Sequence, residues 1–146
     1  MNKVSKVGSC PLIKKGHELL TQRCLHKITD FPVSDEVLET IDLCKEGLRT
    51  PFGFWAGKSM SIAATQVGKP QVPLFLMCSR ENWNTARQYK TFQTFINPRI
   101  IGHCDRLCLA WEGCISDDAE MCLVERPASV KAKFQDTKGE EFEVML

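Results

Sequence analysis

Two short stretches hold side chains that could do chemistry. The first is SIAATQVG, Ser61 to Gly68. It is uncharged and rich in small residues, yet it carries one amide, Gln66, just before a threshold of Val67 and Gly68. A core segment seldom needs an amide, and the plainest role for Gln66 is to tie two loops together. The second stretch is WEGCISDD, Trp111 to Asp118, where Cys114 follows Gly113 at the end of an apolar run. Glycine lets the backbone turn tightly where the thiol is presented. A thiolate at such a bend could be a nucleophile or a soft metal ligand. With eight cysteines in the chain, composition alone favours a buried structural thiol. A nucleophilic cysteine needs a histidine base within hydrogen-bond reach. The histidines are His17, His26 and His103, and the sequence sets none of them beside Cys114.

The elements around these stretches follow from local patterning. VSDEVLETIDLCKEGLRT predicts a helix, with Ser34 as N-cap and Asp35 and Glu36 at the positive end of its dipole. Val37, Leu38, Ile41, Leu43, Cys44 and Leu48 recur at helical spacing and predict one apolar face. Gly47 is a weak point and Pro51 a stop. GHELLTQRCLHKI reads as a short helical turn, and PFGFWAGKSM as a loop that closes over something. VPLFLMC, Val72 to Cys78, reads as a strand buried on both faces. RENWNTARQYK is a polar, exposed excursion. FQTFINPRII alternates and then breaks at Asn97-Pro98. RLCLAWEGCIS follows, and SVKAKFQDTKGEEFEVML is a hairpin with DTKG as its turn. One helix followed by a run of strands predicts an α+β fold.

Composition narrows the partners. The chain has 146 residues, which suits one domain with one core. It is 43% hydrophobic and 25% charged, with a formal net charge of +1. Neither nucleic acid nor an anionic membrane is suggested as a partner. No apolar run approaches the roughly 20 residues of a membrane helix. The N-terminus, MNKVSKVGSCPLIKKG, lacks the apolar core of a secretory signal. An intracellular setting follows, in which the thiols stay reduced. No C-x-x-C pair occurs, and most of the cysteines are expected to be small buried residues.

SIAATQVG followed by EGCIS resembles peptide deformylase, whose signatures are G-x-G-[LI]-A-A-x-Q-[VI]-G and E-G-C-[LI]-S. VPLFLMC, INPRI and VERPASVKAKFQDTKG fall where that family has counterparts, so the resemblance spans nearly the whole chain. It implies an α+β fold of mixed, mostly antiparallel sheets behind an N-terminal helix. It also implies metal-dependent removal of the N-formyl group from the N-terminal Met of nascent proteins, with N-formylated nascent peptides at the ribosome as the expected partners. The setting would be a bacterial cytoplasm or a eukaryotic organelle such as the mitochondrion. In that family the E-G-C cysteine, here Cys114, binds a divalent metal, Fe2+ or alternatively Zn2+, with two histidines of an H-E-x-x-H helix. The metal lowers the pKa of its bound water towards about 7, so hydroxide is available at neutral pH. By the same resemblance Gln66 and the backbone N–H of Ile115 are the oxyanion donors. Met60, Ser61 and Gly113 line the substrate cleft. Glu112 and Arg126 match a pair read as a buried or half-buried ion pair bracing the cysteine loop. Trp111, Trp55 and Phe54 read as core.

The chain also departs from the family. Ser59 and Ser61 stand where the motif has glycines, so a side chain intrudes where substrate backbone would lie. No H-E-x-x-H occurs; GHELLT begins like one at His17-Glu18, but position 21 is Thr21. His17 therefore reads as a surface or turn histidine. The chain is expected to be one deformylase-like domain over 1–146 that stops short of its metal helix, leaving apolar strand faces open. Two other readings compete with an enzyme. One is a non-catalytic deformylase-like binding protein that lost the metal site. The other is a zinc module built on His103, Cys104, Cys108, Cys114 and Cys122, against which the irregular spacing argues.

Overall fold

A computed structural model of the chain describes residues 5–7, 10–49, 61–78 and 92–146. The expected loop over 51–60 and the polar excursion over 80–90 lie outside the described residues, as do Phe54, Trp55, Ser59 and Met60.

The predicted helix forms as α1, Asp35–Arg49. The Ser34 carbonyl accepts from the N–H groups of Val37 and Leu38, which starts the helical ladder. Val37, Ile41, Cys44 and Leu48 make the buried stripe. Leu38, by contrast, is exposed, and Gly47 does not interrupt the helix. Each large apolar side chain taken out of water contributes roughly 1.5–3 kcal/mol. A short 3-10 turn, Glu18–Thr21, precedes the helix, and His17 caps it by accepting from the Leu19 N–H at 3.2 Å. No helix among the described residues is long and apolar enough to cross a membrane.

The main sheet is antiparallel throughout. Its strands are β3 (Ser61–Ala63), β4 (Leu74–Cys78), β5 (Phe92–His103), β8 (Val130–Gln135) and β9 (Glu141–Met145), in that spatial order. Two smaller pairs stand apart: β1 (Ser5–Val7) with β2 (Cys10–Leu12), and β6 (Leu107–Cys114) with β7 (Asp117–Pro127). Successive strand residues face opposite sides. Leu74, Leu76 and Ile96 accordingly join the stripe of α1, Leu12 and Ile62 in one core. The opposite face carries an aromatic row, one ring from each of four strands. Phe75 stacks on Phe95 at 4.3 Å, Phe95 meets Phe134 at 4.3 Å, and Phe134 meets Phe142 at 5.7 Å. Such cross-strand pairs fix the register of a sheet.

Three expectations need correction. The strand expected to break at Asn97-Pro98 continues as β5 to His103. Its pairing with β8 slips between Ile96 and Arg99, and Asn97 takes a φ of 50°. A bulge there accommodates a proline that has no N–H to give the ladder. Cysteine is the second. Of the six thiols whose surroundings are described, only Cys44 is buried, and Cys108, Cys114 and Cys122 are exposed. Trp111 is the third: it is 66% exposed rather than core. Both changes have one cause. The β6–β7 hairpin has no second layer among the described residues, so Leu107, Leu109, Trp111 and Leu123 stand on an open face.

Candidate functional site

The Gln66 loop is built locally. β3 runs into a 3-10 turn, Ala64–Val67, which ends at Gly68. Gly68 has a φ of 80°, a left-handed conformation that suits glycine, and its N–H closes the turn on the Thr65 carbonyl at 3.2 Å. Gln66 sits three residues past the cap position. Its Oε1 accepts from the Ala63 N–H at 2.9 Å, the reach-back of a capping box. One end of the amide is thus spent holding its own turn.

The other end crosses to the cysteine loop. Gln66 Nε2 donates to Ser116 Oγ at 3.1 Å and to Cys114 Sγ at 3.4 Å. Both contacts span about fifty residues of chain, 50 and 48 respectively. Cys114 is aimed here by a register shift in the hairpin. Pairing runs regularly from Leu107↔Pro127 to Gly113↔Met121, then jumps to Cys114↔Asp117. Ile115 and Ser116, at the tip, turn inward and are buried. Gln66 thus ties two loops, and the second loop is the one that carries the thiol.

A third segment stitches the two loops together. The Ile13 N–H donates to the Gln66 carbonyl at 2.8 Å, and two residues later the Lys15 N–H donates to the Ser116 carbonyl at 2.8 Å. Lys14 Nζ adds a bond to the Ile115 carbonyl at 3.2 Å. Lys15 forms ion pairs with Asp117, at 2.8 Å, and with Glu120. Those two carboxylates raise the Lys15 pKa. Sequence reasoning overlooked Ser116 and the 13–15 segment. Ser116 was visible as the last residue of EGCIS, whereas nothing local marks Ile13, Lys14 or Lys15 as neighbours of that loop.

Of the predicted substrate-side residues, Ser61 is exposed at the start of β3, opposite Met77, and Gly113 is exposed next to the thiol. Met60 lies outside the described residues. Glu112 and Arg126 do pair, in a two-pronged contact of 2.5 Å (Nε to Oε1) and 2.7 Å (Nη2 to Oε2). The Glu112 end of the pair is half-buried, while the arginine side chain is 60% exposed to solvent. The guanidinium still holds the Glu112 carboxyl below its ordinary range, and the carboxylate raises the Arg126 pKa.

A hollow of about 400 Å³ opens beside Cys114 and is also lined by His17, Leu20, Lys15 and Asp117. His17 is committed through Nδ1 to capping its own turn. Among the described residues no three His, Cys, Asp or Glu side chains gather closely enough to hold a metal ion. That holds for the cysteines and histidine of the zinc-module reading too. The described neighbours of the Cys114 thiol are the Gln66 amide and, through it, the Ser116 hydroxyl.

Comparison with known proteins agrees with the motif order. The family model described as polypeptide deformylase matches residues 10–146. A peptide deformylase of Phenylobacterium zucineum is 32% identical over 121 residues, covering 80% of this chain and 69% of that protein. Peptide deformylase 2 of Nostoc sp. is 26% identical over 135 residues, covering 88% of this chain and 68% of its own length. Among solved structures, a class I type b peptide deformylase from Acinetobacter baumannii superposes with a TM-score of 0.74 at 24% identity, covering 94% of this chain and 82% of that one. A peptide deformylase from Plasmodium falciparum superposes with a TM-score of 0.74 at 21% identity, covering 92% and 71%. Those two likenesses carry the fold: antiparallel sheets with one helix. With the sequence match over nearly its whole length, the chain belongs to the peptide deformylase family.

Proposed function

We propose that the protein acts on the N-formylated ends of nascent peptides, and that the formyl group binds between Gln66, Cys114 and Ile115. One contact supports this reading above all: the Gln66 amide lies 3.4 Å from the Cys114 sulfur although 48 residues separate them. The formyl oxygen then takes the place of that sulfur as an acceptor. Sulfur is the weaker of the two acceptors on Nε2. Ser116 Oγ, at 3.1 Å, keeps the other hydrogen and holds the plane of the amide. The Ile115 N–H is the second donor. A donor fixed in advance at a developing oxyanion contributes roughly 3 kcal/mol of rate acceleration. Ser61 and Gly113 flank the peptide, with Met60 assigned to the same cleft.

Hydrolysis in this family rests on a divalent metal, Fe2+ or Zn2+, which supplies the attacking hydroxide. Cys114 is the one ligand of that set assigned within the described residues. The role of Gln66 and Ile115 is binding and polarising the formyl oxygen, and that role is testable without metal.

The test compares a formyl-Met tripeptide with its unformylated twin by calorimetry, and follows formate release with added Fe2+ or Zn2+. The reading expects the formylated peptide to bind at least about tenfold tighter, a difference of about 1.4 kcal/mol, and Gln66→Leu to erase the preference. Equal binding of the two peptides overturns it. A formyl preference without formate release would identify a binding protein rather than an enzyme.

A further inference from the structure

Behind the turn that holds Gln66 lies a second cleft, of about 460 Å³. That volume is within the range of small-molecule sites, roughly 300–1,000 Å³. Pro73, Phe75 and Pro98, half-buried and on the side away from the core residues Val72 and Leu74, supply an apolar wall, and Ala63 to Thr65 form the side shared with the Gln66 turn. The opposite rim is cationic, with Lys27 and Arg99.

The same two cations, with Asn97, also line a smaller hollow of about 140 Å³, where Lys133 and Glu141 join them. There Lys133 Nζ is 2.8 Å from Glu141 Oε2, and Arg99 Nη2 is 3.9 Å from it. Three cations thus share one carboxylate. The Glu141 carboxyl is held below its ordinary range, by Lys133 foremost and then by Arg99 and Lys27. The backbone beside Lys27 is rigidly placed. Asn97 accepts from the Ile28 N–H at 2.9 Å and donates to the Ile28 carbonyl at 2.8 Å. Its amide also donates to Gln135 Oε1 at 2.7 Å. Asn97 is therefore a wall of the cleft and not a group waiting for a ligand.

We propose that this cleft binds a small amphipathic carboxylate, its apolar chain along Pro73, Phe75 and Pro98 and its head between Lys27 and Arg99. An apolar trough ending in surplus positive charge favours an anion with a tail over either part alone. The proposal does not depend on the formyl-peptide reading. The carboxylate belongs to a free medium-chain acid or to the C-terminus of an apolar peptide, and both present the same chemistry.

The experiment is an amide NMR titration of the full chain with octanoate, octanol and acetate. Octanoate is expected to shift His26, Lys27, Ile28, Leu74, Phe75 and Arg99 with a dissociation constant below about 1 mM. Octanol should bind at least tenfold more weakly, and acetate should shift nothing at the same concentration. Lys27→Glu with Arg99→Glu should weaken octanoate at least tenfold and leave octanol unchanged; Arg99→Lys should keep most of the affinity. N-acetyl-leucyl-leucine set against its C-terminal amide distinguishes the two sources: tighter binding than octanoate, lost on amidation, identifies a peptide end, and the reverse order a free acid. Octanol equal to octanoate, charge reversal without effect, or shifts confined to Leu107–Trp111 would each overturn the proposal.

Discussion

Replacing Gln66 by Leu removes three hydrogen bonds from one side chain, and the loss can be worked out contact by contact. The Ala63 N–H loses its acceptor at 2.9 Å in a partly buried turn. Stranding such a donor costs about 1–3 kcal/mol. The bond from Nε2 to Ser116 Oγ, at 3.1 Å, contributes about 1 kcal/mol net. The thiol contact at 3.4 Å, on an exposed sulfur, contributes least. Water reaches part of this site and leucine restores some packing, so the expected loss is about 2 kcal/mol. Gln66→Glu keeps an acceptor for Ala63 and loses only the donor side, for about 1 kcal/mol. Urea unfolding followed by far-ultraviolet circular dichroism reads both. With a slope of roughly 2 kcal/mol per molar, the leucine variant should unfold at a midpoint roughly 1 M lower. A leucine variant within about 0.5 kcal/mol of the parent, or a glutamate variant as stable as the parent, would refute the idea that this amide joins the two loops.

Three further outcomes follow from the same structure. Asn97→Ala should lose about 2–3 kcal/mol of stability, since its amide clasps Ile28 twice and Gln135 once. Asn97→Gly, which tolerates the φ of 50°, should not recover that loss; full recovery in thermal unfolding would assign the effect to backbone strain instead. Glu112→Gln should cost less than about 1 kcal/mol at neutral pH because the Arg126 end of the pair faces solvent. The Glu112 carboxyl is lowered in the folded chain, so its contribution is whole above the ordinary glutamate pKa and fades as pH falls through the lowered value. Parent and variant stabilities measured from neutral pH downwards should therefore converge, and a gap that widened on acidification would contradict the sign. Finally, Trp111→Ser should leave stability within about 0.5 kcal/mol, because the ring is 66% exposed, while reducing self-association seen by light scattering. A large stability loss would mean that the ring packs against something.

Much of the fold was legible because it is written locally. The stripe of Val37, Ile41, Cys44 and Leu48 has helical period, and Val130–Phe134 against Phe142–Val144 has strand period around a turn that needs the φ of 91° found at Gly139. The long strand through Asn97-Pro98 was not legible, because a proline reads as a break whether it ends a strand or sits in a bulge. Trp111 misled for another reason. Its apolar neighbours predict burial, but burial depends on what lies across from the hairpin, which no local pattern encodes. The site divides the same way. Gln66, Gly113, Cys114 and Ile115 could be picked out by motif, and their convergence could only be posited. Residues 13 to 15 hold both loops through backbone atoms, which leave no mark in side-chain sequence.

The most direct measurement is of the Gln66 side-chain amide itself. Its ¹⁵N–¹H resonances, assigned by their absence in Gln66→Leu, can be followed while a formyl-Met tripeptide and its unformylated twin are added to metal-free protein. If the formyl oxygen displaces the Cys114 sulfur, the formylated peptide moves these resonances and the twin leaves them in place. Identical responses to the two peptides, or resonances that stay put while other parts of the chain respond, would contradict the account.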